Sequence, residues 1–138
     1  TGTSLNGDFD NGTTFTIETF VRADVPDLYR TFIGRDDFSD VGGEGPAGLA
    51  YFQRTGDEGF VGHFKFEADD KSNTKQRVFS LAPMVVGQLY HVAAVGDGTN
   101  LSLYVDGVFQ SSTPFSGLFD SGANLEGWTI GRGYFAEP

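Results

Sequence analysis

The chain has 138 residues, with 9 Lys and Arg against 19 Asp and Glu, a formal net charge of −10 and no cysteine. This length suits one domain with its own core. The negative charge disfavours nucleic acid and anionic membranes as partners, and the lack of thiols excludes disulfide scaffolds and cysteine chemistry. Abundant glycine (20 residues) together with 14 Phe and 5 Tyr predicts many short strands joined by turns.

Alternation of apolar and polar residues with a period of two predicts nine strands in chain order. In the first of them, Phe15, Ile17 and Val21 share one face. The predicted strands are 15–22, 29–33, 49–53, 60–66, 77–81, 91–95, 101–105, 108–111 and 128–130. Regularly spaced short strands separated by turn residues are typical of an antiparallel sandwich or barrel. We therefore predict an all-β fold and treat residues 1–138 as a single domain.

The clearest local prediction is a hairpin in the second half of the chain. Asp106-Gly107 separates strands 101–105 and 108–111, and an Asp-Gly pair supplies the positive φ values of a two-residue type I′ turn. Residues 96–100 form another turn just upstream, so three consecutive strands should form a meander.

The sequence of this meander resembles a known family. The segment Gly87-Gln-Leu-Tyr-His-Val-Ala-Ala-Val-Gly-Asp-Gly-Thr-Asn-Leu-Ser-Leu-Tyr-Val-Asp-Gly107 is similar to the central motif of laminin-G-like (LamG) domains, the jelly-roll branch of the concanavalin A-like lectin and glucanase superfamily. Residues 15–22 and 128–133 resemble the early and late strands of those domains, with Phe20 where Trp is common. The resemblance implies a jelly roll of two packed antiparallel sheets. The resemblance also implies a non-catalytic recognition module, because most such domains are appended to secreted enzymes, adhesins and surface proteins. We therefore expect an extracellular or cell-surface location.

The sequence departs from the family after the late strand. LamG-like domains usually continue with a Gly-x-Ile-Asp-Glu-Val-type strand, whereas this chain ends at residues 134–138. We therefore expect either an excised piece of a larger multidomain extracellular protein or a sheet edge that is protected in another way. No apolar run approaches the roughly 18 residues of a spanning helix, so membrane insertion is not expected.

Acidic loops make calcium the expected cofactor, because this ion prefers carboxylate and carbonyl oxygens. None of the loops fits an EF-hand, so a site would combine distant loops. Two further loops, Asp69-Asp70 and Asp97 with Asn100, also cluster oxygens. The favoured metal ligands are Asp8, Asp10, Asn11, Asp36, Asp37, Asp40 and Glu44. The alternative is that acidic loops only keep the domain soluble.

Exposed aromatic rings are expected where a glycan would stack. Phe38, Phe115, Phe119 and Tyr134 lie among turn residues, and each is a candidate platform or, alternatively, a plug at the end of the sandwich. Asn100, Asp36 and Asp37 are candidates to hold sugar hydroxyls, and Arg35 is a candidate to hold an acidic sugar. Trp128 alternates with Ile130 and is expected in the core.

A glycosidase would need two carboxyl groups flanking the sugar bond. Catalytic relatives in the superfamily carry a Glu-x-Asp-x-Glu-type strand, and the nearest match is Glu67-Ala-Asp69, which lacks the third acid. If the strand extends that far, both acids share one face, but a solvated loop is the favoured interpretation. His63 and His91 are expected to be structural or surface residues.

Together these features predict a non-catalytic, calcium-assisted module that binds a glycan or polysaccharide. The first alternative is a protein–protein or cell-adhesion module. The second is a small glycan hydrolase or lyase.

Overall fold

The computed structural model describes residues 13–35, 50–118 and 129–131. Its strands are β1 (Thr14–Arg22), β2 (Arg30–Arg35), β3 (Ala50–Arg54), β4 (His63–Asp69), β5 (Lys75–Pro83), β6 (Leu89–Asp97), β7 (Asn100–Val105), β8 (Val108–Pro114) and β9 (Thr129–Ile130). All nine predicted strands are present, with ends that differ from the predictions by at most three residues. No helix in the described part of the chain is long and apolar enough to cross a membrane.

The strands form two antiparallel sheets, which confirms the predicted β-sandwich. One sheet has four strands in the order β1-β6-β7-β8, and the other has five in the order β5-β4-β3-β2-β9. The chain therefore passes from one sheet to the other after β1, after β5 and after β8. The β7–β8 connection is the predicted tight turn, with φ of 50° at Asp106 and 76° at Gly107.

The core between the sheets contains a group of six aromatic rings among aliphatic side chains. Phe15 of β1 lies 6.4 Å from Phe66 of β4, whose ring is 4.7 Å from that of Phe52. Phe64 packs against Tyr90 at 5.2 Å. Large rings carry much apolar area, so a few strand positions suffice to fill the space between the sheets. Space is tight beside Phe15, because a Cβ placed on Gly96 would lie 2.5 Å from that ring.

The edge strand β5 of one sheet is joined to the edge strand β8 of the other by side chains. The Ser111 hydroxyl accepts a hydrogen bond from the Phe79 N–H at 3.0 Å and donates one to the Phe79 carbonyl at 2.7 Å. Gln110 Oε1 accepts from the Leu81 N–H at 2.9 Å. These side chains form hydrogen bonds with backbone groups of the edge strand β5 that could otherwise pair with another chain.

We expect Ser111→Ala to destabilise the fold by about 1–3 kcal/mol, because the main-chain groups of Phe79 would lose their partner. The neighbouring exposed Ser112 is the matched control, and its replacement by Ala should cost no more than about 0.5 kcal/mol. Urea denaturation of both variants measures the difference. Equal stabilities would contradict the role given to Ser111.

Candidate functional site

Strand β4 is buried on both of its faces. Phe64, Phe66 and Ala68 point into the core. The alternate residues Lys65, Glu67 and Asp69 lie on the outer face of the five-stranded sheet, the face opposite the core, and are only 4%, 3% and 2% exposed. The prediction that a continued strand would place Glu67 and Asp69 on one face is confirmed. The favoured interpretation as a solvated loop is wrong, because β4 continues through Asp69.

The residues on this outer face form a charged cluster, which consists of Tyr51, Asp57, Lys65, Glu67 and Arg77. Strand register brings them together, since Glu67 lies opposite Tyr51 on β3 and opposite Arg77 on β5. Arg77 Nε lies 2.6 Å from Glu67 Oε2, and Lys65 Nζ lies 3.3 Å from the same oxygen. Lys65 also pairs with Asp57 at 3.2 Å. One buried carboxylate is thus held by two cations.

The cluster fixes the protonation states of its members. Burial alone would raise the pKa of Glu67, but the hydrogen bond from Arg77 and the charge of Lys65 outweigh it, so the pKa lies below its ordinary value of 4.5. Burial, followed by the neighbouring Glu67 charge, raises the pKa of Tyr51 well above its usual range. Tyr51 therefore stays protonated and shares a hydrogen bond with ionised Glu67.

The accessible margin of the cluster combines a cation with aromatic rings. The Arg77 side chain is 50% exposed although Glu67 holds its Nε. Phe79, two residues along β5 from Arg77 and opposite Lys65, stacks on Phe60 with ring centres 4.0 Å apart and planes at 16°. Phe60 is 38% exposed. A ring surface beside charged hydrogen-bonding groups offers both kinds of contact that a sugar makes.

Gln53 adds an unsatisfied acceptor to the same face. It lies opposite Lys65 in the sheet and is 2% exposed, and its Oε1 has no hydrogen-bond donor. A buried acceptor without a donor is costly, and a ligand hydroxyl or a water reaching it would remove that cost.

The two histidines make contacts outside this cluster. His63 Nδ1 lies 2.6 Å from the Ser80 carbonyl oxygen. His91 Nε2 lies 3.0 Å from Glu18 Oε2, with Phe20 packed against its ring at 4.9 Å. His63 thus contacts the main chain of the neighbouring strand, and His91 lies on the outer face of the other sheet. Both positions agree with the expected structural or surface roles.

The structure places three of the predicted ligand-binding residues. Phe115 is 2% exposed and packs edge-on against Phe15 at 6.0 Å, so it is a core plug and not an exposed platform. Asn100 begins β7, and its N–H donates to Asp97 at 2.7 Å. Arg35 ends β2. Outside the described residues lie Phe38, Phe119, Trp128 and Tyr134.

The favoured calcium ligands also lie outside the described residues, namely Asp8, Asp10, Asn11, Asp36, Asp37, Asp40 and Glu44. In the first of the two further acidic loops, Asp70 accepts hydrogen bonds from the main-chain N–H groups of Ser72 and Thr74. In the second loop, the Asp97 carboxylate accepts hydrogen bonds from the N–H groups of Asn100 and Thr99, and these bonds lower its pKa. Both carboxylates thus hold turns. Within residues 13–35, 50–118 and 129–131, no three His, Asp or Glu side chains form a metal-binding group.

Sequence reasoning missed most of the charged cluster. Tyr51, Lys65 and Arg77 were not singled out, and neither were Phe60 and Phe79. One signal was available: acids and a base alternate with apolar residues through 64–69, which indicates a strand with one apolar and one charged face. The partners on β3 and β5 depend on register, which that pattern does not specify.

We expect Glu67→Gln to lower the unfolding free energy by about 3 kcal/mol, the low end for a broken buried ion pair, because Lys65 keeps Asp57 as a partner. Glu58→Gln is the control, since Glu58 is exposed, and should cost no more than about 0.5 kcal/mol. Chemical denaturation at neutral pH measures both. A loss no larger than that of the control would contradict the structural role of the cluster.

The pKa of Glu67 also predicts a pH dependence. Because this pKa is lower in the folded chain than its ordinary value of 4.5, the ionised carboxylate stabilises the fold fully above that value. The contribution is lost as the pH falls through the folded pKa. The difference in unfolding free energy between the wild type and Glu67→Gln should therefore shrink below about pH 4.5. A difference that is constant from pH 7 to pH 3 would contradict this.

Comparison with known proteins gives a family match over nearly the whole sequence. The model of the Laminin_G_3 family, described as "Concanavalin A-like lectin/glucanases superfamily", matches residues 2–138. No functionally curated protein matches the chain in sequence.

Among solved structures, domain 4 of AbnA, a GH43 extracellular arabinanase from Geobacillus stearothermophilus in complex with arabinotriose, is similar with a TM-score of 0.62 and 14% identity. The match covers 94% of this chain and 55% of the arabinanase chain, so this chain spans little more than half of that length. At this identity the likeness supports the fold. With the family match over nearly the whole sequence, the chain belongs to the Laminin_G_3 family of the concanavalin A-like lectin/glucanase superfamily.

Proposed function

We propose that the chain is a non-catalytic glycan-recognition module whose ligand binds on the outer face of the five-stranded sheet. The observation that carries this proposal is the half-exposed Arg77, fixed by buried Glu67 beside the stacked Phe60–Phe79 pair. A sugar ring would pack on the exposed Phe60 while Arg77 donates hydrogen bonds to its hydroxyl or carboxylate oxygens.

The comparisons support a carbohydrate ligand and an extracellular setting. The superfamily is named for lectins and glucanases, and the structural neighbour is a domain of an extracellular enzyme in complex with arabinotriose. Short arabinose oligosaccharides are therefore among the first glycans to test. We further propose that the module works as part of a larger chain outside the cell.

The electrostatics of the cluster disfavour catalysis. A glycosidase needs a general acid, and such carboxyl groups have a raised pKa. The pKa of Glu67 is lowered, and its charge is neutralised by Arg77 and Lys65. Its partner on the same strand face, Asp69, is 2% exposed. Glu67 therefore acts as a positioning residue that aims Arg77.

Calcium belongs to the proposal as an assisting ion. Its ligands would be oxygens of the acidic segments 8–11 and 36–44, which suit a hard cation. If calcium holds these segments in a binding-competent arrangement, chelation should weaken glycan binding and lower the melting temperature together.

The first test is a glycan array probed with the wild type and with Arg77→Gln. We expect binding to one class of glycan, with a dissociation constant raised at least tenfold in the variant, which corresponds to about 1.4 kcal/mol. Arg22→Gln is the control, because Arg22 is a similarly exposed arginine on the other sheet. Phe60→Ala should weaken binding comparably. An array without hits from folded protein, with or without calcium, would overturn glycan recognition and favour a protein-adhesion role.

A turnover assay separates binding from catalysis. Incubation of each bound glycan with wild-type protein should release no new reducing ends. Glycan cleavage that disappears in Glu67→Gln, while the variant stays folded and still binds, would overturn the non-catalytic assignment.

A further inference from the structure

Four connections between strands meet at one end of the sandwich. They are residues 23–29 between β1 and β2, 55–62 between β3 and β4, 84–88 between β5 and β6, and 106–107 between β7 and β8. The alternation of strand directions brings them to the same end, opposite the turn at Asp97 and Thr99.

Hydrogen bonds tie the three longer connections together. The Gly87 N–H donates to the Ala23 carbonyl at 2.7 Å, and the Met84 N–H donates to the Gly62 carbonyl at 2.9 Å. Buried Arg54 donates through Nη1 to the Pro26 and Asp27 carbonyls at 2.6 and 2.7 Å. A surface fixed in this way loses little conformational entropy when a partner binds.

This surface exposes branched aliphatic side chains. We name it the apolar end, and its residues are Val25, Val61, Val85, Val86, Leu89 and Val108, which are 39–61% exposed. Of the twelve exposed large apolar residues in the described part of the chain, six lie in these connections and five in the strand segments that adjoin them in sequence. Such a concentration marks an interaction surface. Seven of these eleven side chains are aliphatic and offer no flat ring for a sugar, so they suit a protein better.

The charges around the apolar end indicate the sign of the partner. Arg22 pairs with Asp24 at 2.7 Å and Arg30 with Asp27 at 2.9 Å. The exposed acids Glu58 and Asp106 have no cation within ion-pair distance among the described residues. With a chain charge of −10, this surface repels a second copy of the chain and an anionic membrane.

We propose that the apolar end binds a protein whose own apolar surface is bordered by Lys and Arg residues. The residues of the apolar end do not include Phe60, Phe79 or Arg77, which are assigned to the glycan, although Phe60 precedes Val61 in the same connection. Charge complementarity would steer the encounter and make it sensitive to salt.

The test uses a displayed library of random twelve-residue peptides, selected on the wild-type chain. We expect enriched peptides that combine aliphatic or aromatic residues with Lys and Arg, and whose affinity falls with added salt. Their dissociation constants should rise at least tenfold in the double variant Val85→Asp, Leu89→Asp. Ile130→Asp is the matched control, since Ile130 is 84% exposed and lies on β9 opposite Ile33, outside the residues of the apolar end, and it should bind as the wild type does.

Other outcomes overturn the proposal. The selection could yield no peptide whose binding depends on Val85 and Leu89, or it could enrich acidic peptides. Sedimentation velocity could show self-association that the double variant abolishes. The chain could also co-sediment with phosphatidylcholine or phosphatidylserine vesicles. Thermal melts confirm that both variants fold. Glycan binding should persist in the double variant, so the two proposals can fail independently.

Discussion

The structure depends on strand β4, which must be buried on both faces by two different kinds of packing. On one face Phe66 joins the aromatic core between the sheets. On the other face Lys65 and Glu67 are buried as an ion pair, because burying either charge without its partner would cost free energy. Ion pairing with Arg77 and Asp57 from flanking segments stabilises this inner strand.

This requirement also shapes what the outer face can do chemically. A carboxylate surrounded by cations keeps its charge, and in the proposed role Glu67 acts as a rigid support for Arg77. The support ends in a half-exposed guanidinium beside stacked rings, where a ligand can make directional and apolar contacts at once. Stability of the strand and the recognition proposed at its margin would thus have the same physical origin.

The sequence specified much of the fold and little of the site. Alternation predicted all nine strands, and Asp106-Gly107 predicted its turn because only certain residues adopt positive φ readily. The site needed register: nothing local pairs Tyr51 with Glu67, or Glu67 with Arg77. Phe115 was ambiguous because turn-like neighbours do not reveal whether a ring points inward. The acidic loops supply the oxygen ligands that calcium prefers, but their composition does not specify how these oxygens are arranged in space. Their role in binding calcium therefore stays a prediction.

The most direct test of glycan recognition on the five-stranded sheet is an amide NMR titration of the ¹⁵N-labelled chain with soluble arabino-, xylo-, gluco- and galacto-oligosaccharides. We expect saturable shifts on β3, β4 and β5, centred on Arg77 and Phe79, together with Phe60 in the adjoining connection. Saturable shifts confined to the four-stranded sheet, or no shift with any of these sugars, would contradict it.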